Sequence, residues 1–298
     1  MPSWPNLFIA GAPRCGTSSL HAYLDAIPGV FMSRIKEPNY FSRCVIGEDH
    51  PMVRPIRDQD AYLALFAAAG DARIRGEASP NYLEDPEAPE LIDRTVPGAR
   101  VIASLRDPVE RLFSHYLMMR NNRPMGRFAE EIERGLATDD GRSHGILDPR
   151  TGLYAAHVER YRAVFGPRFK ILIFEEWMAD VPATLRDVLQ FLGVDQEIGE
   201  FSEPKQRQYA EARGPLVRYL FGNRAVSRAA EMLIPFGLRK RVRNALLVRP
   251  AAKPEMEPGT REFLVRYYRD DVERLEGLLG RRLPWRNFGS ASPTRSAG

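Results

Sequence analysis

The sequence predicts an α/β fold in which a central, mainly parallel sheet is flanked by helices in a P-loop-like, three-layer arrangement. Two observations predict it. Short apolar runs alternate with helical patterns, and a glycine-bounded loop leads from the first run directly into a helix. With 298 residues and 44% hydrophobic content, the chain is long enough to bury one large core. We therefore expect one main domain over residues 1–289.

The first element is a buried strand over residues 7–10, at the start of the stretch LFIAGAPRCGTSSL. Gly11 and Gly16 allow the following loop to turn tightly and to approach a ligand, and the next helix N-terminus attracts an anion. The spacing of these glycines is that of a Walker A loop, but Thr17 stands where a nucleoside triphosphatase needs lysine. Arg14 still supplies a cation. The stretch therefore predicts a phosphate site that differs from that of a triphosphatase.

A second predicted strand covers residues 100–106 and ends at Arg106. Asp107 is expected to cap the next helix, Pro108 occupies its first position, and Glu110 follows three residues after the cap. The carboxyl end of this strand is where open α/β sheets bind ligands.

The helix after Arg106 is predicted to bury one apolar face, which leaves Arg111 and Ser114 on other faces. The buried residues are Val109, Leu112, Phe113, Tyr116 and Leu117. Arg106 and Ser114 are then expected to meet one phosphate near the strand end, which gives the chain a second anion site.

The remaining elements continue the alternation of strand and helix. Residues 169–174 predict a strand, and residues 182–192 predict the helix that follows it. Residues 260–285 predict a packing helix whose apolar face is formed by Phe263, Leu264, Tyr267, Val272, Leu275 and Leu278. The tail over residues 290–298 is rich in Ser, Pro and Gly and is expected to be disordered.

The two anion motifs resemble those of the sulfotransferases that use 3'-phosphoadenosine 5'-phosphosulfate (PAPS). The loop APRCGTSSL resembles the 5'-phosphosulfate loop of that family, and RDPVERLFSHY resembles its 3'-phosphate motif. Three more segments, similar to those of carbohydrate sulfotransferases, follow in the family's order: IKEPNYF at 35–41, GEASPNYL at 76–83 and GLYAAHVERY at 152–161. The likeness runs from about residue 7 to 192 and returns at 260–285.

The resemblance implies a set of donor-binding residues. Arg14 takes the place of the family's basic residue that neutralises the phosphosulfate, and Arg106 and Ser114 match the 3'-phosphate ligands. The loop residues expected at the phosphosulfate are Cys15, Gly16, Thr17, Ser18 and Ser19. A thiol at the position of Cys15 is more often a small packing residue than a nucleophile.

The resemblance also implies that Glu37 is the base that takes the proton of the acceptor. Such a base contributes roughly 10² to 10⁴-fold to the rate. Two alternatives stay open: Glu37 pairs with Lys36 or Arg34, and Lys36 either reaches the sulfuryl group or is only solvated. Catalysis is expected to rest on in-line positioning and charge neutralisation by Arg14, Lys36 and Glu37.

Three further residues are predicted to line an acceptor site. Glu77 remains from the family's GEASPNYL-like segment, although Ala78 replaces the lysine found there in heparan sulfate enzymes. Tyr154 and His157 belong to the GLYAAHVERY match, but a structural role for His157 is an alternative. His115, next to Ser114, is a further histidine whose help in catalysis is left open.

The tract over residues 214–250 is basic and amphipathic. Its basic residues are Arg218, Arg224, Arg228, Arg239, Lys240, Arg241, Arg243 and Arg249, against the single acidic Glu231. Three roles are open: a helical insertion that caps the cleft, contact with an anionic membrane surface, and a solvated basic face. The first is favoured because related enzymes close the PAPS pocket with a basic segment.

No metal is expected, because the reaction scheme requires none and the histidines show no ligand spacing. Cys15 and Cys44 are too few for a disulfide framework. The chain enters its first strand at once and contains no apolar run of membrane-spanning length, so we expect a cytoplasmic enzyme without a signal peptide or transmembrane helix. Because this differs from Golgi-anchored relatives, the resemblance implies an enzyme of bacterial type.

The function predicted from the sequence is transfer of the sulfuryl group from PAPS to a hydroxyl of a carbohydrate or glycolipid-like acceptor. The partners expected are a small-molecule or glycan acceptor and no nucleic acid. Two alternatives are a P-loop kinase for a small molecule, and a non-catalytic protein that binds nucleotides or membrane surfaces.

Overall fold

A computed structural model describes residues 4–44, 55–122, 124–138, 147–195, 210–212, 248–250 and 254–289. Its centre is a sheet of five parallel strands in the order β2-β3-β1-β4-β5. The strands are β1 Leu7–Gly11, β2 Val30–Met32, β3 Ile74–Ala78, β4 Arg100–Leu105 and β5 Phe169–Ile173. Two short strands, β6 Ala210–Ala212 and β7 Val248–Pro250, pair antiparallel in a separate ribbon.

Helices connect and cover the strands. They are α1 Thr17–Asp25, α2 Gln59–Ala64, α3 Ala88–Thr95, α4 Pro108–Asn122, α5 Phe128–Leu136, α6 Tyr154–Phe165, α7 Phe174–Trp177, α8 Val181–Leu192 and α9 Pro258–Leu279. Short 3₁₀ turns lie at residues 67–69, 80–82, 149–152 and 166–168.

Two apolar cores lie on opposite faces of the sheet. Alternate residues of β1 separate between them, since Leu7 and Ile9 join one core and Phe8 and Ala10 the other. The first core also receives α1 and α8, and the second receives α3, α4, α6 and α9. All five residues of β1 are buried, as is typical of a strand covered on both faces. The predicted three-layer fold with a parallel sheet is confirmed.

The predicted boundaries agree with the structure to within two residues, except at the end of α9. Strand β4 ends at Leu105, so Arg106 follows this strand instead of ending it. Strand β5 stops at Ile173, and Phe174 already begins α7, so the predicted strand is one residue too long. Helix α9 ends at Leu279 rather than near residue 285, because Gly280 adopts a left-handed conformation with φ of 67°. That conformation is favourable for glycine and ends a helix.

The start of α4 confirms the predicted cap. The Oδ1 atom of Asp107 accepts hydrogen bonds from the amides of Val109, at 3.0 Å, and Glu110, at 3.4 Å. Arg111, predicted to lie on a face other than the apolar one, is nevertheless fully buried. Its Nη2 donates to the hydroxyl of Thr151 at 2.6 Å, since a segment distant in sequence covers that side of α4.

Two predictions concern residues outside the described part of the chain. The basic tract over 214–250 is described only at its end, where residues 248–250 form a strand instead of a helix. The tail over 290–298 is not described. Within the described ranges, every helix is too short or too polar to span a bilayer.

Candidate functional site

The loop after β1 is fixed to the end of β4 by one buried serine. The amide of Ala12 donates to the carbonyl oxygen of Ser104 at 2.7 Å, and the Ser104 hydroxyl donates to the carbonyl oxygen of Cys15 at 2.7 Å. The same hydroxyl accepts a hydrogen bond from Nε1 of Trp177 at 2.9 Å. Ser104 therefore holds both ends of the loop and the aromatic ring beneath it.

Gly16 closes this loop and cannot carry a side chain. Its φ of 80° lies in the left-handed region, and a Cβ atom there would lie 2.3 Å from the ring of Trp177 and 2.9 Å from that of Phe174. Helix α1 begins at the next residue, Thr17, and no side chain caps its N-terminus. The first amides of α1 are thus available to an anion at the mouth of the loop.

The residues of the predicted phosphate loop differ in exposure. Arg14 and Ser18 are exposed and Ser19 is half-buried, whereas Thr17 is buried. Cys15 is fully buried, its amide donates to Ala12, and burial raises the pKa of its thiol to about 11. The structure therefore does not support Cys15 as a direct ligand. It packs beneath the loop, where its Sγ lies 4.0 Å from the hydroxyl oxygen of Tyr154.

The second predicted motif lies beside the first, because β1 and β4 are neighbours in the sheet. Nη1 of Arg106 donates to the carbonyl oxygen of Arg14 at 3.4 Å, and Nε of Arg14 donates to the hydroxyl of Ser114 at 3.3 Å. The guanidinium of Arg106 lies over the ring of Phe174, 4.7 Å from its centre. Its buried Nε has no hydrogen-bond partner in the described part of the chain. The three predicted ligands Arg14, Arg106 and Ser114 therefore form one contiguous cationic site.

Residues near the C-terminus support this motif, and no local sequence pattern indicated them. Glu175 accepts hydrogen bonds from the amide of Asp107, at 3.2 Å, and from Nε1 of Trp285, at 3.1 Å. The side-chain amide of Asn287 donates to Oδ2 of Asp107 at 2.7 Å. The segment after α9 thus holds the start of α4 in place.

Glu37 lies in the loop after β2, at the same edge of the sheet. Its Oε1 is 3.1 Å from Nζ of Lys36, so the two predicted catalytic side chains form an ion pair, and both are partly exposed. The amide of Glu37 donates to the carbonyl oxygen of Ala78 at 3.0 Å. The loop also contacts α1, because Nε2 of His21 lies 3.0 Å from the carbonyl oxygen of Ser33.

Glu77 does not lie where the sequence analysis placed it. Its side chain is fully buried and accepts hydrogen bonds from three hydroxyl groups, those of Tyr62, Ser79 and Tyr82. Burial raises the pKa of Glu77 to about 7, and the charge of Glu37 acts in the same direction. A carboxyl group enclosed in this way is not accessible to an acceptor, so the acceptor role predicted for Glu77 is not supported.

Tyr154 is also buried, which argues against the acceptor role predicted for it. Its hydroxyl donates to the carbonyl oxygen of Arg106 at 3.1 Å, and so it supports the cationic site from below. His157 is half-buried on α6, and burial, with the charges of Arg160 and Arg111, lowers its pKa to about 4. His157 is therefore neutral near pH 7. His115 lies half-buried on α4, next to Ser114.

Metal-binding side chains do not cluster in the described ranges, where no group of three histidine, cysteine or acidic residues is arranged to hold an ion. The arrangement that is described there consists of cations and helix amides around the loops after β1 and β4, with a carboxylate in the loop after β2. Such an arrangement is suited to an anionic ligand, with a carboxylate at the same edge of the sheet.

Comparison with known proteins identifies the family. A model described as "Sulfotransferase family" matches residues 59–197. Carbohydrate sulfotransferase 15 from Homo sapiens is 28% identical over 261 residues, which cover 68% of this chain and 45% of that protein. Bifunctional heparan sulfate N-deacetylase/N-sulfotransferase 3 from Homo sapiens is 26% identical over 292 residues, covering 94% of this chain and 31% of that protein. The chain thus spans less than half the length of these curated relatives.

A solved sulfotransferase structure matches over nearly the whole of both chains. The crystal structure of a sulfotransferase from Alicyclobacillus acidocaldarius is 31% identical, with a TM-score of 0.70, and the match covers 94% of this chain and 98% of that one. At this identity and coverage, the chain belongs to the sulfotransferase family.

Proposed function

We propose that the chain transfers a sulfuryl group from PAPS to a hydroxyl of a carbohydrate or glycolipid-like acceptor. The observation that carries the proposal is the contact of Arg14 with both Ser114 and, through its carbonyl oxygen, Arg106. A donor with phosphates on the 3' and 5' positions of one ribose needs two neighbouring anion sites. Membership of the sulfotransferase family favours this function over a P-loop kinase.

The residues present fit this donor. The 5'-phosphosulfate would lie at the N-terminus of α1, where uncapped amides and the exposed Arg14 offset the charge of the leaving phosphate. The 3'-phosphate would lie at Arg106 and Ser114. The unpartnered, buried Nε of Arg106 supports this assignment, because a buried donor without an acceptor is costly and a phosphate oxygen would satisfy it.

Glu37 is the proposed base. When the acceptor oxygen attacks the sulfur, the bond from sulfur to the phosphate oxygen breaks, and the acceptor proton passes to the carboxylate of Glu37. Lys36, whose Nζ lies 3.1 Å from that carboxylate, can offset charge on the group in transfer. The partial exposure of both side chains leaves them accessible to an acceptor in the cleft.

The acceptor class is inferred from the relatives. Their names specify carbohydrates and heparan sulfate. A third relative from Homo sapiens, 27% identical over 198 residues, is named heparan sulfate glucosamine 3-O-sulfotransferase 6, and a 3-O position is a sugar hydroxyl. We therefore propose a sugar hydroxyl in this chain. His157 is retained as a candidate for contact with the acceptor, since its half-buried ring has an Nδ1 without a partner in the described part of the chain. A membrane role of the 214–250 tract and a cytoplasmic location stay predictions.

The test is a panel of sugar and glycolipid acceptors incubated with sulfur-labelled PAPS and, separately, with γ-labelled ATP. We expect label transfer from PAPS alone. Transfer from ATP that requires magnesium would instead indicate a kinase, and PAPS binding without transfer to any acceptor would indicate a non-catalytic protein.

The base is tested by Glu37→Gln, with Glu159→Gln as the matched control. The two glutamates are similarly exposed, at 39% and 37%, and each pairs with a cation. We expect Glu37→Gln to retain affinity for the product nucleotide while turnover falls by about 10² or more. Glu159→Gln should change neither. Near-normal turnover of Glu37→Gln would move the base to another residue, with His157 and His115 the next to test.

A further inference from the structure

The buried carboxylate of Glu77 is linked to the loop that carries Glu37. Its three hydroxyl donors are Tyr62, at 2.9 Å, Ser79, at 2.6 Å, and Tyr82, at 2.7 Å. Two of these hydroxyls also accept hydrogen bonds from the loop: Ser79 from the amide of Asn39, at 3.0 Å, and Tyr82 from the amide of Phe41, at 3.2 Å. Glu77 is thus connected to the loop by two separate hydrogen-bonded paths, one through Ser79 and one through Tyr82.

The chemistry of a hydroxyl group determines which atom donates in each of these hydrogen bonds. Each hydroxyl has a single proton, and an ionised carboxylate can only accept. When the protons of Ser79 and Tyr82 point to Glu77, the lone pairs of both oxygens are left for the loop amides. Removing the carboxylate would free both hydroxyls to rotate, and the amides of Asn39 and Phe41 would lose oriented acceptors.

The loop needs such restraint, because its backbone is strained beside the proposed base. Glu37 has a φ of 60° and Asn39 a φ of 49°, a region that residues with side chains adopt rarely. Such conformations are unfavourable, more so for glutamate than for asparagine, and persist only where the surroundings enforce them. The side-chain amide of Asn39 also donates to the carbonyl oxygen of Glu37 at 2.9 Å, so the position of Asn39 bears directly on Glu37.

We propose that Glu77, Ser79 and Tyr82 are positioning residues that hold the Glu37 loop in its strained conformation and so aim the Glu37 carboxylate at the acceptor. This inference rests on the proposed role of Glu37 as the base. It assigns to Glu77 a function in the reaction without contact to the substrate, in place of the acceptor contact expected from sequence.

The chain provides a matched control for this proposal. Tyr62→Phe, Ser79→Ala and Tyr82→Phe each remove one hydroxyl donor from the same buried carboxylate. Among the described residues, the hydrogen bonds from the loop amides of Asn39 and Phe41 end on the last two hydroxyls only. A general loss of packing or of buried hydrogen bonding would affect all three variants. Only Ser79→Ala and Tyr82→Phe also remove a hydroxyl that accepts a hydrogen bond from the loop.

The first measurement is hydrogen exchange of the amides at residues 37–41, which needs no acceptor. We expect Ser79→Ala and Tyr82→Phe to speed exchange at Asn39 and Phe41 by about tenfold or more, and Tyr62→Phe to leave it within about twofold of wild type. Ser79→Thr, which keeps a hydroxyl, should restore protection. Equal protection in all variants would overturn the proposal, and so would equal loss in all three.

The second measurement is turnover with labelled PAPS and the acceptor that the panel identifies. Ser79→Ala and Tyr82→Phe should lower kcat by about tenfold, leave the affinity for the product nucleotide unchanged, and have no further effect in a Glu37→Gln background. Additive losses in that background would overturn the proposal. If Ser79→Ala does not bind the product nucleotide, we take this variant to be misfolded, and the turnover of Tyr82→Phe then decides whether the proposal holds.

The two measurements also separate this proposal from the proposed base. If Glu37→Gln keeps its turnover, the assignment of the base fails, and any exchange effect then describes a structural link alone, which refutes the positioning role. If Glu37→Gln loses turnover while Ser79→Ala and Tyr82→Phe keep theirs, the base stands and only the positioning role fails.

Discussion

Replacing Ser104 by alanine should weaken both the fold and the phosphate loop. The Ser104 side chain is fully buried, donates to the carbonyl oxygen of Cys15 at 2.7 Å and accepts from Nε1 of Trp177 at 2.9 Å. Alanine leaves both of these partners without a hydrogen bond. A buried polar group without a partner costs about 1 to 3 kcal/mol, so the free energy of unfolding should fall by about 2 to 5 kcal/mol.

The assay combines urea denaturation with calorimetric titration of 3'-phosphoadenosine 5'-phosphate. We expect Ser104→Ala to lower the affinity for this nucleotide as well as stability, because the released loop presents the helix amides less rigidly. Ser42→Ala is the control: Ser42 is equally buried and donates to Asp85 at 2.8 Å, away from the phosphate loop. It should lower stability and leave nucleotide affinity unchanged. A stability loss below about 0.5 kcal/mol for Ser104→Ala, or equal affinity losses in the two variants, would refute the reasoning.

Three further predictions concern the nucleotide, the pH dependence of stability and the leaving group. Arg106→Ala should cost roughly 1.5 to 3 kcal/mol of binding energy for 3'-phosphoadenosine 5'-phosphate and little for AMP, as measured by calorimetry, because only the first nucleotide has a 3'-phosphate; equal losses for both would contradict the assignment. The raised pKa of Glu77, about 7 against 4.5, means that the folded state binds this proton more tightly than the unfolded state. The stabilisation from this group is therefore complete below about pH 4.5 and is lost as the pH rises through 7. Across this range the unfolding free energy of wild type should fall by about 3 kcal/mol relative to that of Glu77→Gln; if urea denaturation shows the same pH dependence for both proteins, the prediction is wrong. Arg14→Ala should lower turnover by about 10² to 10³-fold, whereas excess chelator should not lower it; loss of activity in chelator that magnesium restores would favour the kinase alternative.

The predictions that succeeded depend on local sequence. The glycines of the first loop, the cap at Asp107 and the apolar runs of the strands specify their structures within a few residues. The contact of Arg14 with Ser114 joins residues 100 positions apart, and only the adjacency of β1 and β4 brings it about. The sequence indicated two anion sites, but they lie together in one site because the strand order makes β1 and β4 neighbours.

The predictions that failed concern residues whose environment is built by distant segments. Glu77 is polar and lies near the carboxyl end of β3, and the family resemblance implied a role at the acceptor, yet Tyr62 and Tyr82 enclose it. Asn287 acts on Asp107 across 180 positions, and Trp177 acts on Ser104 across 73. No short pattern encodes such contacts, because they depend on how α7 and the end of the chain pack on the sheet.

The short helix α7 contacts both the end of the loop after β1 and Arg106. Its Phe174 lies against Gly16 on one side and beneath the guanidinium of Arg106 on the other. One aromatic ring therefore acts as a spacer that sets the separation between the N-terminus of α1 and Arg106. We expect this site to select a nucleotide by the distance between its two phosphates and not only by its total charge. An isomer with its second phosphate on the neighbouring ribose hydroxyl has the same charge but a different span, and this spacer would discriminate against it.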